Sequence, residues 1–225
     1  MWNKLPPRSC QQRLREAFGR WGLPGGLRLD NGIPWGNWND LPTALALWLA
    51  GLGLSLTFNP PRVPQDNGVV EKSNDTAQRW CEPGTAESAV QLQQRCDRFD
   101  RIQREQYPSL LGKSRLAVFP QLLVPRRPYR ATDEEGLWSL QRAEQYLASF
   151  VAQRQVSAQG QISVYARNCS VGAKHRFHTA LLYYDPGSHE WVAAQADGRT
   201  LRRFAAIEIT RERICALQVS ARSLD

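Results

Sequence analysis

No apolar run in this chain approaches the ~18 residues that a membrane span requires; the longest candidate, Ala44 to Leu56, carries two glycines. The first stretch, Met1 to Arg20, is polar and basic with no apolar centre, which predicts no signal peptide. Cysteine is scarce: Cys10, Cys81, Cys96, Cys169 and Cys215 form an odd, scattered set without a C-x-x-C. Histidine is scarcer, and His175, His178 and His189 have no cysteines at zinc-finger spacing. These absences predict a reduced, cytoplasmic protein without structural zinc and without a membrane partner. Internal repeats and low-complexity tracts are missing too.

What is present in excess is positive charge. The 225 residues carry a formal net charge of +8, and arginine dominates the basic residues. Each phosphate neutralised by a basic side chain releases condensed counterions, so this balance fits a phosphate-bearing partner. Arginine's planar fork suits phosphate better than lysine's point charge. An arginine-rich proteome would give the same balance with no such partner. At 42% hydrophobic and 22% charged, the chain has the composition of a soluble globular protein with one full core and a smaller module.

Taken in order, Ser9 to Trp21 reads as an amphipathic helix on the spacing of Leu14, Ala17, Phe18 and Trp21. A short strand from Leu27 to Asp30 ends in the turn Asn31-Gly32. Asn39 or Asp40 is then expected to cap a buried helix that begins at Leu41-Pro42. The strand Leu54 to Phe58 follows, so strand, helix and strand form a right-handed crossover with two parallel strands. In such sheets functional groups gather at the carboxyl ends of the strands, where Asp30 stands. Past a proline-rich loop, Asn67-Gly68 opens a helix from about Val69 to Cys81, with Glu71 in the first turn where the helix dipole favours a carboxylate. Ala86 to Arg104 is a second helix.

Tyr107 to Tyr129 reads as a linker, its prolines set among Lys113, Arg115, Arg126, Arg127 and Arg130; it is either a basic strap over DNA or a neutral tether. Thr132 to Glu135 is a capping box expected to open one helix presenting Leu137, Leu140, Ala143, Leu147 and Val151. Strands are then expected at Gln161 to Arg167, Thr179 to Tyr184, Trp191 to Gln195 and Ile214 to Val219, a small barrel of about five strands. The tryptophans Trp35, Trp38, Trp48 and Trp138 read as packing residues rather than stacking platforms, and Asp75 as a solvated helix acid. His175 and His178 lie in a basic turn, Lys174 to His178, better suited to backbone contact or solvation than to metal.

Asp30 and Glu71 are the candidate chemistry. Two carboxylates at a strand end and a helix start in a basic protein suit metal-assisted phosphodiester chemistry, in which paired divalent ions stabilise attacking and leaving oxygens. The surrounding motifs, Asp30-Asn31-Gly32 and Pro64-Gln65-x-Asn67-Gly68-x-x-Glu71, resemble the second and third acids of the DDE transposases and retroviral-type integrases of the RNase H-like class. The resemblance covers roughly residues 10 to 110. More loosely, Gly160-x-Ile162-Ser-Val164, Trp191 and Asp197-Gly198 are similar to the small barrel that follows the core in Mu-type transposases.

The resemblance implies an α/β fold: a partial integrase catalytic core over 1–106, a basic linker and helix over 107–156, and a small all-β barrel over 157–225. It implies Asp30 and Glu71 as catalytic ligands of Mg2+ or Mn2+, with Asn31, Gly32 and Gly68 shaping the turns. Asn67 would both shape the Glu71 turn and lie near DNA, where Lys72, Arg62 and Arg79 would contact phosphates. The partners implied are DNA, as element ends and target, with self-association or pairing with a full-length transposase. The pattern departs from the family in its first acid, since three strands and a helix with their loops need roughly 40 positions before the second acid. The stretch before Asp30 is shorter, and its one acid, Glu16, falls mid-helix. The expectation is therefore the C-terminal part of a transposase that does not transpose DNA alone, with a non-catalytic DNA-binding or regulatory remnant as the alternative.

Overall fold

The computed structural model describes residues 6–36, 40–60 and 68–220, which form a mixed α/β protein. In chain order its elements are α1 (Pro7–Trp21), β1 (Gly26–Leu29), α2 (Ala44–Gly51), β2 (Ser55–Phe58), α3 (Gly68–Cys81), α4 (Ala89–Glu105), α5 (Arg115–Val118), α6 (Glu134–Leu137), α7 (Leu140–Ala148), β3 (Val151–Gln155), β4 (Gln161–Val164), β5 (Arg167–Ser170), β6 (Thr179–Asp185), β7 (Glu190–Ala194), β8 (Thr200–Ala205) and α8 (Arg211–Cys215). Among the described residues no helix is long and apolar enough to cross a membrane. The chain makes two compact units, one holding the residues up to Phe58 and those from Arg127 onward, the other Asn59–Arg126.

In the first unit β1 and β2 pair in parallel, Gly26 opposite Ser55 through Leu29 opposite Phe58, with α2 as the crossover. Helix α2 is apolar all round and buried along nearly its whole length, as its composition requires. It starts at Ala44, later than the expected Leu41-Pro42. The cap is Thr43, whose Oγ1 accepts from the Ala46 N–H at 3.2 Å and reaches back to the Pro34 and Trp35 carbonyls. Asp40 instead accepts from the adjacent Leu41 N–H at 2.7 Å and pairs with Arg154, so its carboxylate is not available to cap a helix. Asn39 lies outside the described residues.

At the far end of α2 the Trp138 indole occupies the space that a side chain at Gly51 would need, and its N–H donates to the Trp48 carbonyl at 3.0 Å. This contact breaks the single helix expected from Thr132. Ser139 donates its N–H to the Gly51 carbonyl and caps a new helix, α7, so α6 and α7 are separate. The Thr132 capping box is not formed: the N-cap of α6 is Asp133, no side chain caps it, and the Thr132 hydroxyl donates to Asp133. Val151 begins a strand and is exposed.

The C-terminal part is strand-rich. A four-stranded antiparallel sheet has the order β3-β6-β7-β8, and β4 and β5 form a separate hairpin. The expected strand Gln161 to Arg167 divides at Tyr165-Ala166, both at positive φ, the signature of a tight hairpin turn. The expected strand Ile214 to Val219 is corrected to a helix: Thr210 accepts from the Arg213 N–H at 3.3 Å, nucleating α8, and Ile214 is buried on it. One hydrophobic core runs through this unit, from Phe18 and Trp48 through Leu147 and Leu182 to Trp191 and Ile214.

In the second unit α3 packs against α4, with Trp80 in ring contact with Phe99 at 5.8 Å and Tyr107 at 6.3 Å. Arg95 closes the end of α3, its Nη1 donating to the Cys81 and Glu82 carbonyls at 3.2 and 3.1 Å and to the Thr85 hydroxyl at 2.8 Å. The stretch read as a linker holds α5, capped by Ser114, and a 3-10 turn over Pro120–Leu123.

Candidate functional site

Asp30 follows β1 directly and is exposed at the carboxyl end of this parallel strand. Its Oδ1 accepts from the Gly32 N–H at 3.1 Å, an Asx turn that fixes the carboxylate while leaving acceptor capacity. The turn continues as the Trp35 and Gly36 N–H groups donate to the Gly32 carbonyl. The Phe58 ring lies where a side chain at Gly36 would project, so the loop after Asp30 packs tightly on the end of β2. Asn31 and Gly32 therefore stand where the motif requires a turn.

Glu71 lies in the first turn of α3 and is exposed, as is the neighbouring Lys72. Gly68 is the first residue of that helix. Arg79 is also exposed, but its guanidinium is engaged by Asp75 one turn away. Arg62 and Asn67 lie outside the described residues. Asp30 belongs to the first unit and Glu71 to the second, so no single compact unit brings the two together. Glu16 sits on α1, paired with Arg13 at 2.8 Å. Exposed carboxylate oxygens suit a hard divalent cation. Among the described residues no group of three His, Cys, Asp or Glu side chains is arranged to hold one.

Three other acids, none marked out by the sequence patterns, are buried. Glu134 takes a forked pair of bonds from Arg15, at 2.8 and 2.7 Å, one from the Trp48 indole at 2.9 Å, and one from the Tyr129 hydroxyl. Burial alone would push its carboxyl up, but the bonds from Arg15, Tyr129 and Trp48 outweigh it and hold the carboxyl below the usual range. Glu144 accepts from the Tyr184 hydroxyl at 2.7 Å and meets His189 Nδ1 at 2.8 Å. Glu208 binds Arg167 and the Trp191 indole N–H, the latter at 3.1 Å. Each acid joins separate elements, which is the chemistry of an internal brace. Arg127, grouped with the linker's basic residues, is likewise internal: it donates to the Pro24, Gly53 and Leu52 carbonyls at 2.9 to 3.1 Å.

Two cavities open on the first unit. One, of about 540 Å³, is lined by Ile33, Pro34, Leu41, Pro42, Tyr165 and the Asp40–Arg154 pair among others. The second, of about 410 Å³, is lined by Lys174, His175, His178, Gln195, Arg199, Thr200 and Leu201. Sequence reading found the basic turn from Lys174 to His178 and the Asp197-Gly198 turn separately. Nothing in their spacing says that they share a cavity, which follows from the pairing of β6 with β7. No protein-family model matches the chain.

Proposed function

We propose that Asp30 and Glu71 are two of the carboxylates of a DDE-type polynucleotidyl transferase site on an RNase H-like core, and that the chain engages DNA without joining strands by itself. The observation that supports this best is Asp30, a solvent-exposed carboxylate at the end of a parallel strand in a β-α-β unit, steadied by the Gly32 N–H. Glu71, exposed in the first turn of a helix behind Gly68, fits the third acid of the same pattern. With no third acid gathered among the described residues, a two-ion clamp is not expected.

Mg2+ or Mn2+ held by these carboxylates would supply Lewis-acid polarisation of a phosphoryl oxygen. The chain's own residues have simpler tasks. Asp30 and Glu71 provide anionic oxygens, and Lys72 provides a point charge one position from Glu71 for a backbone phosphate. Arg79 contributes only when its exposed pair with Asp75 opens, which costs about 0–1 kcal/mol. Calorimetry of the full chain should show manganese uptake that is lost in Asp30→Asn and in Glu71→Gln. Uptake unchanged in both variants removes the assignment, and strand transfer by the purified chain, abolished by Asp30→Asn, removes the statement that it does not join strands.

A second reading, a non-catalytic DNA-binding protein that acts through its basic segment and C-terminal region, is favoured by the exposure of Lys113, Arg115, Arg126 and Arg130. In either reading the partners proposed are DNA and, by self-association or by pairing with a full-length transposase, a second protein chain.

A further inference from the structure

Between β5 and β6 the chain folds back through Lys174-His175-Arg176-Phe177-His178, and this loop is firmly anchored. The Val171 and Gly172 N–H groups both donate to the Gly160 carbonyl, at 2.8 and 3.1 Å. Phe177 and Val156 bond through the Phe177 N–H at 2.9 Å, and the Val156 N–H returns to the His178 carbonyl at 2.9 Å. Gly160, at φ +72, lets the two loops meet: a side-chain carbon there would lie 2.5 Å from the Gly172 carbonyl carbon. Across the cavity, the turn from Gln195 to Arg199 is closed by the Gln195 N–H bonding the Arg199 carbonyl at 2.9 Å. The Arg199 guanidinium is oriented by the Gln195 side-chain oxygen, from Nε at 3.0 Å and Nη2 at 2.5 Å.

Lys174 and Arg199 stand exposed on this cleft. Gln195 steadies Arg199 without neutralising it, and among the described residues no carboxylate forms an ion pair with Arg199 or Lys174. The one acid of the turn, Asp197, accepts from the Arg199 backbone N–H at 3.0 Å. His178 Nδ1 lies 3.0 Å from the Arg176 carbonyl, which can only accept, so Nδ1 donates.

We propose that this cleft binds a phosphodiester of a nucleic-acid backbone, with Lys174 and Arg199 as its charges, His178 lining it, and His175 as a group that becomes a donor on protonation. A preorganised cavity lined by like charges is stabilised by an anion, and a phosphate is the anion to which arginine and lysine bind most readily. Nucleic acid is favoured over a lone ion because the same loop exposes Arg176 and Phe177, the latter 67% exposed and held at positive φ. An exposed ring beside basic residues suits base stacking. Partial desolvation, then Lys174, Arg199 and His178, hold the His175 imidazole below its ordinary value. An anion reverses the effect of those charges, so binding takes up a proton and strengthens as pH falls.

This inference deepens the DNA-binding reading and is independent of the metal site, so it is tested with a chelator present. The full chain is titrated against a labelled mixed-sequence DNA duplex by fluorescence anisotropy over a range of salt. Lys174→Gln with Arg199→Gln should weaken binding roughly 10-fold and lower the salt slope by about 2, while Arg98→Gln with Arg101→Gln, the same charge loss on α4, should change both little. Unchanged melting curves establish that both variants fold. Equal losses in the two variants overturn the cleft while leaving DNA binding as such intact; absence of DNA binding by the parent chain overturns both. Wild-type affinity should rise severalfold between about pH 8 and pH 6, and His175→Asn should flatten that rise. Ring-proton NMR of His175 and His178 separates the sources: shifts with duplex identify nucleic acid, shifts with inorganic phosphate alone identify a free phosphate site in its place, and no shift with either overturns the proposal.

Discussion

The two compact units solve the burial problem differently. The first has a continuous core in which Trp48, Leu147 and Trp191 are fully buried and each internal acid meets several donors. In the second, Cys81 is the one buried apolar residue among those described, α4 buries none, and Leu111, Leu122, Leu123 and Val124 face solvent. Burial at about 25 cal/mol per Å² of apolar surface is what offsets chain entropy, so the first unit should hold most of the stability and the second should open locally at low cost. The proposed ligands fall on both sides of this contrast, Asp30 on the rigid unit and Glu71 on the thin one.

That comparison can be broken or sharpened by measurement. Trp48→Ala should have the largest effect, a loss of about 4–5 kcal/mol in denaturant unfolding, because it empties a core site and removes a donor from Glu134. Glu134→Gln should cost about 3 kcal/mol by leaving Arg15 half-buried without its counter-charge.

The same acid predicts the pH response. Its folded-state value is depressed, so its contribution is fully present above the unfolded glutamate's ~4.3 and is lost as pH falls through the lower folded value. An acid-unfolding limb in the parent chain that is weakened in Glu134→Gln would bear this out; identical limbs would not. Gly160→Ala should cost about 1–3 kcal/mol, since positive φ and the contact with Gly172 both oppose a side chain, and should weaken phosphate binding with it. Leu122→Ser should change unfolding by less than ~0.5 kcal/mol, and amides of α3 and α4 should exchange faster than those of α2 and β6. A loss of several kcal/mol at Leu122 would mean that its exposed face is covered in solution.

Local patterns carried a good part of this structure. The helices α1, α3 and α4, the parallel pair β1 and β2, and strands β6 and β7 are written in spacing, caps and turn residues that lie within a few positions of one another. Strands β3 and β8 escaped notice because Gln153, Arg154, Arg202 and Arg203 interrupt the apolar alternation, leaving little period to detect. The break between α6 and α7 depends on Gly51, far away in the chain, and no local propensity reports it.

The positions of Asp30 and Glu71 at a strand end and a helix start were legible from their immediate neighbours, because turn and cap chemistry is local. The basic cleft was not, since Lys174 and Arg199 come together only through strand pairing. By itself the sequence determined the excess of positive charge, the absence of a long apolar run, and the places where chain direction must change. Tertiary structure decided which acids are internal braces and which remain exposed, and where basic side chains gather on one cavity, because desolvation and pairing are properties of what surrounds a side chain and not of its place in the chain.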